Sequence, residues 1–115
     1  MNVNMRVAFT LEGIKPISIN AAYQGRRFKT PNCLSYEQEL AYALPKMPMI
    51  EGDVIVSIHF YLVNYATTDV SNLVKILEDM LVKRGLIEDD RKVVELHLKK
   101  TKAKKHKIKI SISKA

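Results

Sequence analysis

At 115 residues, with 47% apolar and 27% charged side chains, the chain has the size of one compact domain, expected to span residues 1–115 around a single core. Its lone Cys33 excludes an intrachain disulfide and a thiolate zinc cage, and with no leader-like segment and no apolar run near the roughly 20 residues that cross a bilayer, a cytoplasmic protein without a membrane partner is expected. The 19 Lys and Arg against 12 Asp and Glu leave a formal charge of +7, which favours a polyanionic partner without identifying one.

Residues 6–12 alternate, with Val7, Phe9 and Leu11 on one side and Arg6, Ala8 and Thr10 on the other, the pattern of a half-buried strand. Residues 13–34 hold Gly13, Pro16, Asn20, Gly25 and Pro31 around the basic cluster Arg26, Arg27 and Lys29, and without a sustained period they read as a long loop. Ser35, followed three residues later by Gln38, forms a capping box for a short helix lined by Tyr36, Leu40 and Leu44 and ended by Pro45. Over residues 53–63, Val54, Val56, Ile58, Phe60 and Leu62 share one face, while Ile55, Tyr61 and Val63 lie on the other. That strand should be central or covered on both sides.

Val70, Leu73, Val74, Leu77, Met80 and Leu81 recur at helical spacing, Asp69 stands where a cap belongs, and Lys83, Arg84 and Gly85 supply the C-terminal signals. Val94, Leu96 and Leu98, then Ile108, Ile110 and Ile112, mark two last strands. The basic segment 100–106 between them is expected to close a hairpin. The order β, loop, α, β, α, β, β predicts an α+β domain: a mixed, mostly antiparallel four-stranded sheet with two helices packed on one face.

His59, His97 and His106 are scattered and have no paired ligand spacing, so a transition-metal site is not expected from them. The informative stretch is residues 68–91, TDVSNLVKILEDMLVKRGLIEDDR, where an acid opens a helix and an acidic cluster follows its end. A helix over 70–84 is about 22 Å long at 1.5 Å per residue, so Asp69 meets Asp90 or Asp89 only if the chain folds back after Gly85. Lys75 projects from the same turn region as the cap. Asp69, Asp90 and the amide of Asn72 are hard oxygen donors of the kind magnesium takes, completed by water and substrate phosphate, and an ammonium beside them would offset charge on a phosphoryl transition state. The plain alternatives are an N-cap at Asp69, a solvated Lys75 and an ordinary acidic turn at 88–90.

The run Asp69, Val70, Ser71, Asn72, Leu73, Val74, Lys75, then Glu78-Asp79-Met80-Leu81, then residues 85–90 leading into Val93-Val94, resembles the RusA family of Holliday junction resolvases. There an Asp-x-Asp-Asn-x-x-Lys helix start is followed by an acidic pair and an Asp-Asp turn. The similarity spans roughly residues 14–100 and takes in Pro16-Ile17-Ser18-Ile19-Asn20 with Tyr23. It implies a crossover junction endodeoxyribonuclease active in DNA recombination and repair, a homodimer acting on branched, four-way DNA, with Mg²⁺ as cofactor and Mn²⁺ able to substitute. By position it implies Asp69, Lys75 and Asp90 as catalytic, Asp69, Asp90, Ser71 and Asp89 around the metal, and Asn72 bracing the site. Ser71 replaces the family's second aspartate, which lowers the negative charge there. A catalytically weakened nucleic-acid-binding module of the same fold is the alternative. Arg26, Arg27, Lys29, Lys100, Lys102, Lys104 and Lys105 are the candidates for phosphate contacts.

Overall fold

The computed structural model describes residues 5–25 and 28–115. β4 (Val54–Leu62) alternates strictly between buried and half-buried residues and lies inside the sheet, as its two apolar faces require. It pairs antiparallel with β6 (Lys107–Lys114) on one side and parallel with β5 (Val93–Lys102) on the other. β1 (Arg6–Glu12) adds to β6 antiparallel, giving a mixed four-stranded sheet of order β1-β6-β4-β5.

The expected hairpin between the last two strands is therefore corrected: β5 and β6 flank β4 and do not pair with each other. The physical reason lies in β4. With Val54, Val56, Ile58, Phe60 and Leu62 all at most 1% exposed, placing it at an edge would leave one of the most apolar strands half uncovered. The 103–106 connection instead spans two strand spacings, roughly 10 Å. A parallel neighbour needs a crossover, and the helical segment over 70–83 provides it.

That segment opens as a 3₁₀ turn, Val70–Leu73, and continues as α3 (Val74–Lys83). Leu73, Ile76, Leu77, Met80 and Leu81 are buried from it. α2 runs over Pro31–Ala43, about one turn earlier than the Ser35 capping box predicts. Thr30 is the actual cap, its hydroxyl accepting from Cys33 N at 3.2 Å, and Pro31 at the first helical position needs no donor. Tyr36, Leu40 and Leu44 are buried as expected. The long loop is also more ordered than its composition suggests. It holds the short helix α1 (Ile19–Ala22), capped by Ser18, and the two-residue strands β2 (Tyr23–Gln24) and β3 (Phe28–Lys29), which pair antiparallel. Arg26 and Arg27 lie outside the described residues.

Both longer helices contribute to the same core as one face of the sheet, which contains Val54, Val56, Ile58, Phe60, Leu62, Ile108, Ile110 and Ile112. Among the described residues no helix is long and apolar enough to cross a membrane.

Candidate active site

Asp69 caps the 3₁₀ turn. Its Oδ1 accepts from Ser71 N at 3.2 Å and from the Ser71 hydroxyl at 2.9 Å, while Asn72 N donates to the Asp69 carbonyl at 3.1 Å. The cap reading and the site reading of Asp69 are compatible, because the cap uses one carboxylate oxygen and the residue remains exposed. Ser71, where a second aspartate was expected from the family pattern, is thus a donor that orients the first.

At the other end of α3 the chain turns at Gly85, whose φ of 74° lets Leu86 N reach back to Leu81 O at 2.9 Å. The following residues return along the helix. Asp90 opens a 3₁₀ turn, Asp90–Lys92, just before β5, and its Oδ2 accepts from Lys75 Nζ at 3.0 Å. Lys75 sits in the first turn of α3, so the fold-back has brought Asp90 to the N-terminal end of that helix. The same ammonium donates to Asp79 Oδ1 at 3.0 Å, an i,i+4 pair. Bonding to Asp79, then to Asp90, raises the Lys75 pKa and keeps the side chain charged.

Asp89, whose carboxylate lies beside that of Asp90, is engaged by a different cation. Its carboxylate caps the Asp90–Lys92 turn through Arg91 N at 2.9 Å and also takes the Arg91 guanidinium at 3.3 Å. The Arg91 backbone bond is the main reason its pKa drops to about 2. Of the two acids in the turn, Asp90 is the one that faces Lys75.

The residue singled out least by the sequence is Glu78. It shares the helix face of Lys75 at i+3, and burial, followed by the nearby Asp90 charge, raises its pKa. A carboxylate whose folded pKa lies above its unfolded value disfavours folding once pH rises above the unfolded value. Glu78→Gln should therefore raise Tm at pH 7, with the gain shrinking toward zero near pH 4; an unchanged Tm at neutral pH would contradict the placement.

Among the described residues no group of three or more His, Cys, Asp or Glu side chains is close enough together to hold a metal ion. The donors nearest the site, Asp69, Ser71, Asp79 and Asp90, are all hard oxygens. That donor chemistry fits a magnesium ion, which keeps several waters and takes one or two protein carboxylates plus phosphate oxygens.

The basic residues divide. Lys102, Lys104 and Lys105 are exposed around the 103–106 connection. Lys29 is bonded to Glu37 at 2.6 Å. Lys100 is half-buried and donates to the carbonyls of Tyr65 and Thr68, each at 2.8 Å, with its ammonium 4.4 Å from the Tyr65 ring centre. It clamps the turn that delivers Asp69. Lys100→Met should cost about 1.5–3 kcal/mol of stability, as loss of charged hydrogen bonds does, measured by urea unfolding; a loss below 0.5 kcal/mol would mean the clamp is idle.

Beside Asp69 lies a cleft lined by residues of the 15–21 segment, the first half of α2 and the 64–73 turns. No periodic signal marks it in the sequence, because its walls come from three separate segments.

At the start of the crossover helix of a basic α+β scaffold, then, one ammonium is held between two carboxylates, Asp79 and Asp90. The family model for Endodeoxyribonuclease RusA matches residues 18–113. The chain belongs to the RusA family of endodeoxyribonucleases, the Holliday junction resolvases, which hydrolyse phosphodiester bonds in branched DNA. No curated protein matches the chain.

Proposed function

We propose that the chain, acting as one domain per subunit of a homodimer in the cytoplasm, resolves four-way DNA junctions by Mg²⁺-dependent hydrolysis, each subunit cutting one strand. The observation that carries this reading is the Lys75–Asp90 bond of 3.0 Å in the first turn of α3, directly after the turn capped by Asp69.

Asp69 and Asp90 would hold the metal ion, with Ser71 orienting Asp69 and Asn72 bracing the turn. Bound there, the ion would supply an activated water and neutralise phosphate charge. Lys75 then offers a fixed positive charge to the oxygens on which negative charge grows during displacement. Lys102, Lys104 and Lys105 supply phosphate contacts that orient the DNA without reading sequence.

Support for a dimer comes from β5. It is an edge strand whose Val94 is 53% and Leu96 39% exposed, and an apolar free edge is a site for pairing with another copy. A two-fold dimer also matches the two-fold symmetry of a four-way junction.

The test compares a synthetic four-way junction with a linear duplex of the same sequence, in Mg²⁺, in Mn²⁺ and in EDTA. Paired nicks in the junction with either ion, little in the duplex and none in EDTA are expected. Binding without nicking in both metals would replace the enzyme reading with that of a binding module. Affinity should also fall steeply with salt, as counterions displaced by the lysines return.

A further inference from the structure

One face of the four-stranded sheet shares its core with α2 and α3, while the residues of the opposite face are all exposed or half-buried. Strand register lines that outer face up in rows. Running from β1 to β5, one row reads Thr10, Lys109, His59 and Lys99, and the next reads Ala8, Ser111, Ser57 and His97. The short side chains of the second row leave a trough of about 570 Å³ beside the first, with Arg6 also on its wall. Crossing four strands at about 4.8 Å spacing, it is roughly 14 Å long.

No carboxylate lines the trough. Glu12 and Glu95, the acids of this face, stand at opposite corners of it. Lys99 and Lys109 have no carboxylate partner among the described residues, and as neighbours of β4 from either side they are about 10 Å apart. The uncompensated charge calls for an anion.

A second, independent observation comes from His59, which stands between those two lysines. Its ring stacks on Tyr61 with centroids 4.1 Å apart, and its Nε2 is bonded to the Thr101 hydroxyl at 2.6 Å. The imidazole is thus held as a fixed plane on the trough wall. Burial, followed by Lys99, Lys109 and Lys107, lowers its pKa and keeps it neutral at pH 7. Fixed cations beside a planar ring are the combination by which proteins seat an unpaired strand: phosphates on the cations, a base stacked on the ring.

We infer that this outer sheet face binds unpaired single-stranded DNA, with Lys99, Lys109 and Arg6 taking phosphates and His59 stacking on a base. The surface lies on the side of the sheet away from α3 and Lys75, and it stands independently of the nuclease reading. Within a duplex the bases stack on one another, so an unpaired strand alone offers phosphates and a free base plane to one trough. DNA is the nucleic acid on which this family acts. A second copy of the chain is a poor occupant, because facing copies would set one cationic surface against another.

The test titrates fluorescein-labelled oligothymidylate, eight nucleotides long, with the full chain in EDTA and follows anisotropy at several salt concentrations. Lys99→Gln/Lys109→Gln should weaken binding about tenfold and flatten the slope of log K against log salt by about 1.4, two single-strand contacts at about 0.7 each. His59→Ala should weaken it about fivefold or more through lost stacking. In the unaltered chain, bound phosphates would offset Lys99 from β5 and Lys107 and Lys109 from β6, so the His59 ring protons, beside Tyr61, should titrate at higher pH with the oligonucleotide than without. The altered side chains are at the surface, so Tm should move by no more than a degree or two, and affinity for a fully paired four-way junction should change less than about threefold.

Oligothymidylate bound equally by parent and variants, or junction affinity lost in the same proportion, would overturn the inference. An octaglutamate peptide bound as tightly, and lost in the same variants, would make the face a dock for acidic protein instead. A change of sedimentation from dimer to monomer in the double variant would make it a subunit interface. None of these readouts requires cleavage, so a chain that never nicks junctions would remove the nuclease reading and leave this one standing.

Discussion

Asp69→Asn is expected to abolish junction cleavage while leaving the fold and junction binding intact. The separation follows from the two jobs the side chain holds. As a cap it accepts from Ser71 N and Ser71 Oγ, and an asparagine oxygen caps a helical turn about as well as an aspartate oxygen. As a candidate metal ligand it contributes charge, which the amide lacks. Loss of rate by a factor of about 10³ or more, with Tm moved by no more than a degree or two, is the expected pattern for an electrostatic group in phosphoryl transfer. Single-turnover cleavage and thermal unfolding of the same preparation measure both. A variant as active as the parent would remove Asp69 from the chemistry and leave it a cap alone.

Lys75→Met should produce a similar loss of rate for the opposite electrostatic reason. The ammonium is 3.0 Å from both Asp79 and Asp90, and Glu78 stands close enough for the Asp90 charge to raise its pKa. Removing that ammonium leaves these acids facing one another without the cation they share, and phosphate oxygens would then approach less compensated negative charge. The pairs are about half exposed, so their contribution to stability is small, within about 1 kcal/mol. Cleavage should fall about 10²- to 10³-fold, the scale of losing one preorganised charge at a reacting oxygen. Lys75→Arg should recover the charge and little of the rate, because a planar fork does not replace a compact ammonium shared by two carboxylates. Full activity in the methionine variant would show Lys75 to be a surface pair and nothing more.

Most of the sheet was legible because period-two alternation is unambiguous in 6–12, 54–62 and 107–114, and the long helix because six apolar residues fell at helical spacing. Pairing was not legible. Alternation separates the two faces of a strand, without deciding that the apolar one is covered, as exposed Val94 and Leu96 show, and says nothing about which neighbour it bonds; β5 and β6 therefore read as a hairpin although β4 lies between them. The start of α2 was missed because Thr30-Pro31 and Ser35 both carry cap signals, and tertiary bonds from Thr30 to Ala21 and Ala22 favoured the first.

At the site, helical spacing marked Asp69 as a cap and put Asp79 one turn beyond Lys75, while nothing in the spacing gave the Lys75–Asp90 bond, which depends on the chain folding back after Gly85. The distinction between Asp89 and Asp90 depends on Arg91, which occupies one of them. Lys29 and Lys100 looked like free cations in sequence because nothing local reveals a partner eight or thirty-five residues away.

The place of β6 bears on how the molecule assembles during synthesis. Among the described residues β1 is joined to the sheet through β6 alone, so this strand has no sheet partner until residues 107–114 have left the ribosome. Its apolar side must wait through the making of everything between, and sheets closed by such distant partners form slowly. A stalled or truncated product ending before residue 107 should therefore expose Val7, Phe9 and Leu11 together with the unpaired flank of β4, and be captured by chaperones in preference to the full chain.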